Sequence, residues 1–139
     1  MKIWREIMYK RIQTFFVTSL ALIAVLGCGG GNRLVTGSIT VRDTDQGYLS
    51  GRSCRTDGGY DDVRVGTDVV VKDGQGAIIG VGSLEEGEAD SAFDCRFDFS
   101  LEVKVSEFYS FEVGDRGELS YSHADLEVQG WNVAFSLGD

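Results

Sequence analysis

His123 is the one histidine of the chain, so it is the sole imidazole available as a general base, and Ser120, Ser122 and Asp125 stand close to it in sequence. A serine hydrolase needs hydroxyl, imidazole and carboxylate in one hydrogen-bonded line. On a strand Ser120 and Ser122 point to one face and His123 to the other, and no Gly-x-Ser-x-Gly elbow occurs. The plain reading of His123 is a surface residue in a turn; a hydrolase is the lesser alternative. Asp57, Asp61, Asp62 and Asp68 cluster around Gly58-Gly59, and calcium takes about six to eight oxygens, usually from such loop carboxylates. Asp43-x-Asp45-x-Gly47 has half the spacing of a calcium loop, but its glycine comes one place early and no Glu closes it. Asp and Gly also form turns through bonds from the Asp side chain to its own backbone. Calcium-dependent binding of carbohydrate or protein is therefore an alternative, and no catalytic residue, metal ligand or cofactor is assigned.

Glu85, Glu86 and Glu88 precede Asp90 and read as a solvated loop tip. Carboxylates paired for glycoside hydrolysis would need a cleft flanked by aromatic platforms, in which these residues have no evident place. Tyr48, Tyr60 and Phe108 fall in loops or on the polar phase of strands, where they could form a contact surface.

Three cysteines remain: Cys28, Cys54 and Cys95. Cys28 belongs with the N-terminal segment, where Lys2, Arg5, Lys10 and Arg11 precede an apolar run from Phe15 to Leu26 and then small residues, the pattern of a signal peptide over residues 1–27. As a helix the run would rise only about 18 Å, against a hydrocarbon core of about 30 Å, too short for a membrane span. Val25-Leu26-Gly27-Cys28 resembles the lipobox of bacterial lipoproteins. The resemblance implies that the Cys28 thiol carries diacylglycerol and becomes the N-terminus. Two acyl chains hold a protein stably at a membrane where one does not, which places the domain on the extracytoplasmic side of the cell membrane. Gly29-Gly30-Gly31-Asn32 follows as a flexible tether, and the folded domain is expected over residues 33–139. Export leaves Cys54 and Cys95 in an oxidising compartment, so a Cys54–Cys95 disulfide is expected. No Cys-x-x-Cys motif argues for redox chemistry.

The whole chain has 139 residues, net charge −9, 19 Gly and no Pro, a length for one domain. Residues 1–27 carry three net positive charges, leaving −12 on the remainder. Such a surface excludes a nucleic-acid partner, for want of cations to displace phosphate counterions, and favours a cationic envelope or extracellular protein. It also disfavours docking on anionic headgroups, leaving the lipid as the link to the membrane.

Phe93, Cys95, Phe97, Phe99, Leu101, Val103 and Val105 alternate without a miss with Asp94, Arg96, Asp98, Ser100, Glu102 and Lys104. Period two means a strand with one face on a core and one in water. At about 3.3 Å per residue it would exceed about 40 Å, so a bend or bulge is expected within it. Shorter segments repeat the pattern: Ile39 with Val41, Asp68 to Lys72, Ala77 to Leu84, Tyr109 to Val113, Leu119 with Tyr121, and Trp131 to Leu137. These seven strands, with Gly-rich turns and no long helix, predict an all-β antiparallel sandwich. Asp73-Gly74 signals a tight type I′ hairpin, and Asp115-Arg116-Gly117 a slightly longer one. Ser122 to Asp125 has capping-box spacing before Leu126 and a stop at Gly130, sufficient for one helical turn.

From Cys54 onward the chain resembles small secreted or lipid-anchored actinobacterial proteins of uncharacterised function. The matching residues are Gly58-Gly59-Tyr60-x-Asp62, Val69-x-Val71-x-Asp73-x-x-Gly76, Gly82-x-Leu84-x-x-Gly87, Cys95-x-Phe97-x-Phe99, Phe108-Tyr109, Arg116-Gly117-x-Leu119-x-Tyr121-Ser122 and Gly130-Trp131-x-Val133. The Pro expected near Ser106 in such proteins is absent. The resemblance implies an exported β-sandwich with a disulfide and carries no activity. In strand grammar it is also similar to transthyretin-like or Ig-like sandwiches, an analogy of fold alone.

Overall fold

The computed structural model describes residues 30–138; the leader expected over 1–27, the lipidated Cys28, Gly29 and Asp139 lie outside the described residues. Eight strands, one short helix and one 3-10 turn follow in the order β1 (Asn32–Arg42), 3-10 turn (Gly58–Tyr60), β2 (Asp68–Lys72), β3 (Ile78–Ser83), β4 (Glu88–Ala89), β5 (Asp94–Lys104), β6 (Phe108–Val113), β7 (Glu118–Ser122), α1 (His123–Val128) and β8 (Asn132–Leu137). They form two four-stranded sheets, β4-β5-β1-β8 and β3-β2-β6-β7, the all-β sandwich expected. Strand number and pairing differ from expectation in two ways. Glu88–Ala89 adds an eighth strand too short to carry an alternation, and β8 runs parallel to β1, because α1 returns the chain to the other sheet before β8 begins.

Alternation in β5 resolves as read: Cys95, Phe97, Phe99, Leu101 and Val103 are buried, while Phe93 and Val105 fall beyond the strand ends and are exposed. No bulge interrupts it. β1 is equally long and pairs with β5 in unbroken antiparallel register from Asn32↔Lys104 to Arg42↔Asp94, so each residue of one strand finds a partner in the other. Gly37 makes room for this pairing over the core: a Cβ there would lie 2.6 Å from the Val133 carbonyl oxygen and press into the Phe99 ring. The strand also starts at Asn32, inside the expected tether, and the Val105 N–H donates to Gly31 O at 3.1 Å.

The sheets meet closely where β3 crosses β5, since Cβ atoms at Gly80 and Gly82 would come within 2.7 Å of the Glu102 carbonyl oxygen and 2.8 Å of the Leu101 Cβ. Toward the other side aromatic rings fill the space: Phe111 of β6 lies 6.0 Å from Phe135 of β8, and Tyr109 meets Trp131 edge-on at 5.6 Å. Such pairs are worth about 0.5–1.5 kcal/mol beyond their buried area.

The two-residue turn expected at Asp73-Gly74 is replaced by a longer loop. The Asp73 N–H donates to Ala77 O, the Asp73 carboxylate accepts from the N–H groups of Gln75 and Ala77, and positive φ falls on Gly76 at 83°. The ladder shifts register between Val71 and Lys72 to accommodate it. The second turn forms as expected, with Gly114 and Gly117 at positive φ. The capping box closes as well: Ser122 Oγ accepts from the Asp125 N–H and the Asp125 carboxylate from the Ser122 N–H, both at 3.1 Å. Buried Leu126 anchors the helix, which extends to six residues, somewhat beyond the one turn expected.

Candidate functional site

Cys54 and Cys95 are joined, with Cα atoms 5.9 Å apart. Cys95 is fixed by β5, whereas Cys54 belongs to an irregular segment held to β4 and its flank by the Ser53↔Glu88 bridge, by bonds between Gly51, Arg52 and Ala89, and by the Cys54 N–H to Gly87 O bond at 2.9 Å. The bridge therefore pins the loop 43–67 against the end of the sandwich. That loop contributes more to the core than its polar sequence suggests. Val63 is fully buried, and Thr56, the one buried polar residue among the described residues, donates from Oγ1 to the Val63 carbonyl at 2.6 Å.

Beside the disulfide an open cleft of about 870 Å³ is lined by Arg55, Thr56, Asp57, Asp61, Arg64 and Glu86, among others. Charge of both signs lines it, and neither Arg55 nor Arg64 forms an ion pair among the described residues. The acidic run thus contributes Glu86 to this cleft, while Glu85 and Glu88, the latter opening β4, are exposed.

Asp57 and Asp61 both line this cleft, but the four aspartates of the expected calcium loop do not converge on one point. Asp62 forms a two-point ion pair with Arg116, from the β6–β7 turn, with Arg116 Nε donating to Asp62 Oδ2 at 2.8 Å. The guanidinium also donates to Gly59 O and lies over the Tyr60 ring at 5.2 Å. Its hydrogen bonds hold the Asp62 carboxyl below the usual carboxylate range. Asp57 accepts from Gln46 at 3.2 Å, and the Asp43 carboxylate caps the backbone of Asp45. Among the described residues no group of three or more His, Cys, Asp or Glu side chains could hold a metal ion.

His123 is the first residue of α1 and half-buried, its ring edge-on to Trp131 at 5.1 Å. Nδ1 lies 3.1 Å from both Tyr109 Oη and Ser106 O, and Nε2 lies 3.3 Å from Glu127 one turn on. The Tyr109 hydroxyl also accepts the Ser106 N–H at 2.8 Å. The expected nucleophiles are occupied elsewhere: Ser122 caps the helix, and Ser120 Oγ lies 3.2 Å from Ser110 Oγ. Asp125 faces Ser122, so the three groups do not align. His123 joins the chain end of β5 to α1, a buttress under Trp131, which itself holds positive φ at 60°, a conformation that costs a bulky residue about 1–2 kcal/mol.

Arg116 is the residue sequence reasoning missed. It stands 54 positions from Asp62, on a hairpin turn whose arginines ordinarily face solvent, and no local spacing signals the pair. Tyr60 is half-buried beneath it, not a free contact aromatic, whereas Phe108 is exposed on β6. Tyr48 packs on the core and donates its hydroxyl to Arg55 O at 2.9 Å.

The architecture defines a two-sheet, disulfide-linked β-sandwich. No protein-family model, no curated protein and no solved structure matches the chain.

Proposed function

We propose that the chain is a membrane-anchored envelope lipoprotein, a non-enzymatic sandwich that binds another macromolecule or serves a structural role on the extracytoplasmic side. The observation that carries this reading is the apolar run ending in Val25-Leu26-Gly27-Cys28. The Cys54–Cys95 bridge supports export, because disulfides of this kind persist in oxidising compartments. The commitment of His123, Ser120, Ser122 and Asp125 to hydrogen bonds that hold the fold supports a binding role over hydrolysis. Its partner is a cationic protein, given the net charge of −12 left once residues 1–27 are removed and the repulsion it sets up toward polyanions. Fractionation tests the anchor. Wild-type chain recovered from membranes should show the intact mass of a protein beginning at diacylglyceryl Cys28, and Cys28→Ser should appear unanchored or unprocessed. A membrane-fraction mass without lipid on Cys28 overturns the proposal.

A further inference from the structure

The β1–β5 ladder ends at one corner of the sandwich. Asn32 pairs there with Lys104, and the Val105 N–H donates to Gly31 O at 3.1 Å, so the backbone is held in place from Gly31 onward. Cys28 stands three residues earlier. A fully extended chain spans at most about 3.6 Å per residue, so a lipid carried on Cys28 would sit within about 11 Å of this corner. A domain on so short a lead meets the bilayer with one particular end.

Four large apolar residues stand at that end, each between 44% and 61% exposed: Leu34, Ile78, Val105 and Phe108. Leu34 is the third residue of β1, and Val105 is the first beyond β5. Ile78 opens β3, two residues before Gly80, which lies against the Glu102 carbonyl near the end of β5. Phe108 opens β6, and its ring lies 3.7 Å from the place a Cβ on Gly74 would take in the β2–β3 loop. Arg33 and Lys104 flank the corner, and neither forms an ion pair among the described residues. Most carboxylates nearby are engaged within the protein: Glu102 accepts from Asn32, Asp73 from N–H groups of its own loop, Asp125 from Ser122, and Glu127 lies against His123. Glu107 is the exception. The acidic loops lie at the opposite end, where β1 stops at Arg42 and β5 starts at Asp94, with Asp43, Asp45, Asp57 and Asp61 in the loop that the disulfide pins and Glu85 and Glu86 ahead of β4.

We propose that this end of the sandwich rests on the bilayer, with Leu34, Ile78, Val105 and Phe108 in the interface between headgroups and acyl chains and Arg33 and Lys104 extending to the lipid phosphates. Interfacial binding grows with buried apolar area, and long cationic side chains lay their stems on apolar surface while the charge reaches the headgroups. The contact need not hold a free domain. It orients one that a lipid already keeps at high effective concentration beside the membrane. Negative charge, which opposes a membrane contact for the domain taken whole, is gathered at the far end, so the cleft beside the disulfide faces outward toward a cationic partner. This inference rests on the lipid anchor proposed above.

The test uses the lipidated chain purified from membranes and reconstituted into vesicles of phosphatidylcholine with brominated acyl chains, which quench tryptophan at close range. Once residues 1–27 are removed, Trp131 is the one tryptophan and supplies the baseline. Phe108→Trp and Ile78→Trp, both at exposed positions, should each add emission that these vesicles quench about twofold or more, as expected of a ring about 5–10 Å into the interface; either variant decides if the other fails to fold. Phe93→Trp, whose backbone bonds to Asp43 at the opposite end, should add emission that the vesicles leave unquenched. Val105→Asp, exposed beyond β5, should remove the quenching at 108 while the protein still melts cooperatively. No added quenching at 78 or 108, equal quenching at 93, or quenching indifferent to Val105→Asp would each overturn the proposal. An intact mass without lipid on Cys28 overturns the anchor itself, whereas a lipidated chain that shows no quenching overturns this inference alone.

Discussion

Arg116 and Asp62 show how one ion pair decides what an acidic loop is for. Their two-point contact ties the loop beside the disulfide to the β6–β7 turn, so Arg116→Ala should cost about 1 kcal/mol, read as a lower melting temperature, and should speed hydrogen exchange around Val63. Because Asp62 already has its cation, calcium should leave the melting temperature of the wild type unchanged; a rise with calcium would restore the metal reading. Asp94 carries a second test. The Arg42 guanidinium first, then the Ser91 hydroxyl, bring its carboxyl down to about 2, below the value near 4 of an unfolded aspartate. A carboxyl with a depressed folded value stabilises the fold above its unfolded value and loses that contribution as pH falls. Stability should therefore decline as pH drops from about 4 toward about 2, and Arg42→Ala should flatten that part of an acid titration followed by circular dichroism. None of these pairings was legible along the chain. The sequence shows which residues carry charge, whereas partners 52 and 54 positions apart are chosen by how strands and turns come to lie side by side.

At the scale of elements, alternation and capping chemistry were legible because both are local. β5 could be read from its period of two, and α1 from Ser122 and Asp125, since the bonds that make a capping box span three residues. Ser122→Ala should cost about 1 kcal/mol of stability and increase exchange at the N–H groups of α1. β1 was read only as Ile39 with Val41, because Gly37 interrupts the apolar alternation of its inward face between Val35 and Ile39. Its full length appears once Gly37 is seen to accommodate the Phe99 ring. Gly37→Ala is expected to destabilise by about 1–3 kcal/mol, measurable by urea denaturation, since one neighbour of the added methyl is the Val133 backbone carbonyl and backbone yields less readily than a side chain. The hairpin at Asp73 illustrates the opposite failure. Asp-Gly favours a two-residue turn, but the Asp73 side chain can hold two further backbone N–H groups, and the longer loop that results places Gly76 where positive φ is needed.

For the molecule as a whole, the Cys54–Cys95 bridge closes a separation of 41 residues, which on the chain-entropy account is worth up to roughly 4 kcal/mol. Reduction in the folded state should lower the melting temperature and release loop 43–67 to proteolysis before the strands are cut. Charge acts at the same scale. With −12 on the chain beyond residues 1–27, association with a cationic partner should slow steeply as salt shortens the Debye length toward about 8 Å, and neutralising Glu85, Glu86 and Glu88 should slow it further if that run faces the partner. Folding should be nearly indifferent to those three changes, because exposed charges contribute little to stability. A partner whose association rate ignores salt would leave solubility as the sole role of the charge.

Alternation was enough, without coordinates, for an all-β sandwich, because side-chain phase along a strand is a property of neighbouring residues, and the two cysteines left to an exported chain were enough for a disulfide. Tertiary structure alone decided the parallel pairing of β8 with β1, the burial of Val63 beneath the disulfide-pinned loop and the partnership of Arg116 with Asp62. Each depends on which segments meet across many residues of intervening chain, and the energy that selects those meetings, the joint burial of Phe99, Phe111 and Phe135, belongs to no single stretch of sequence.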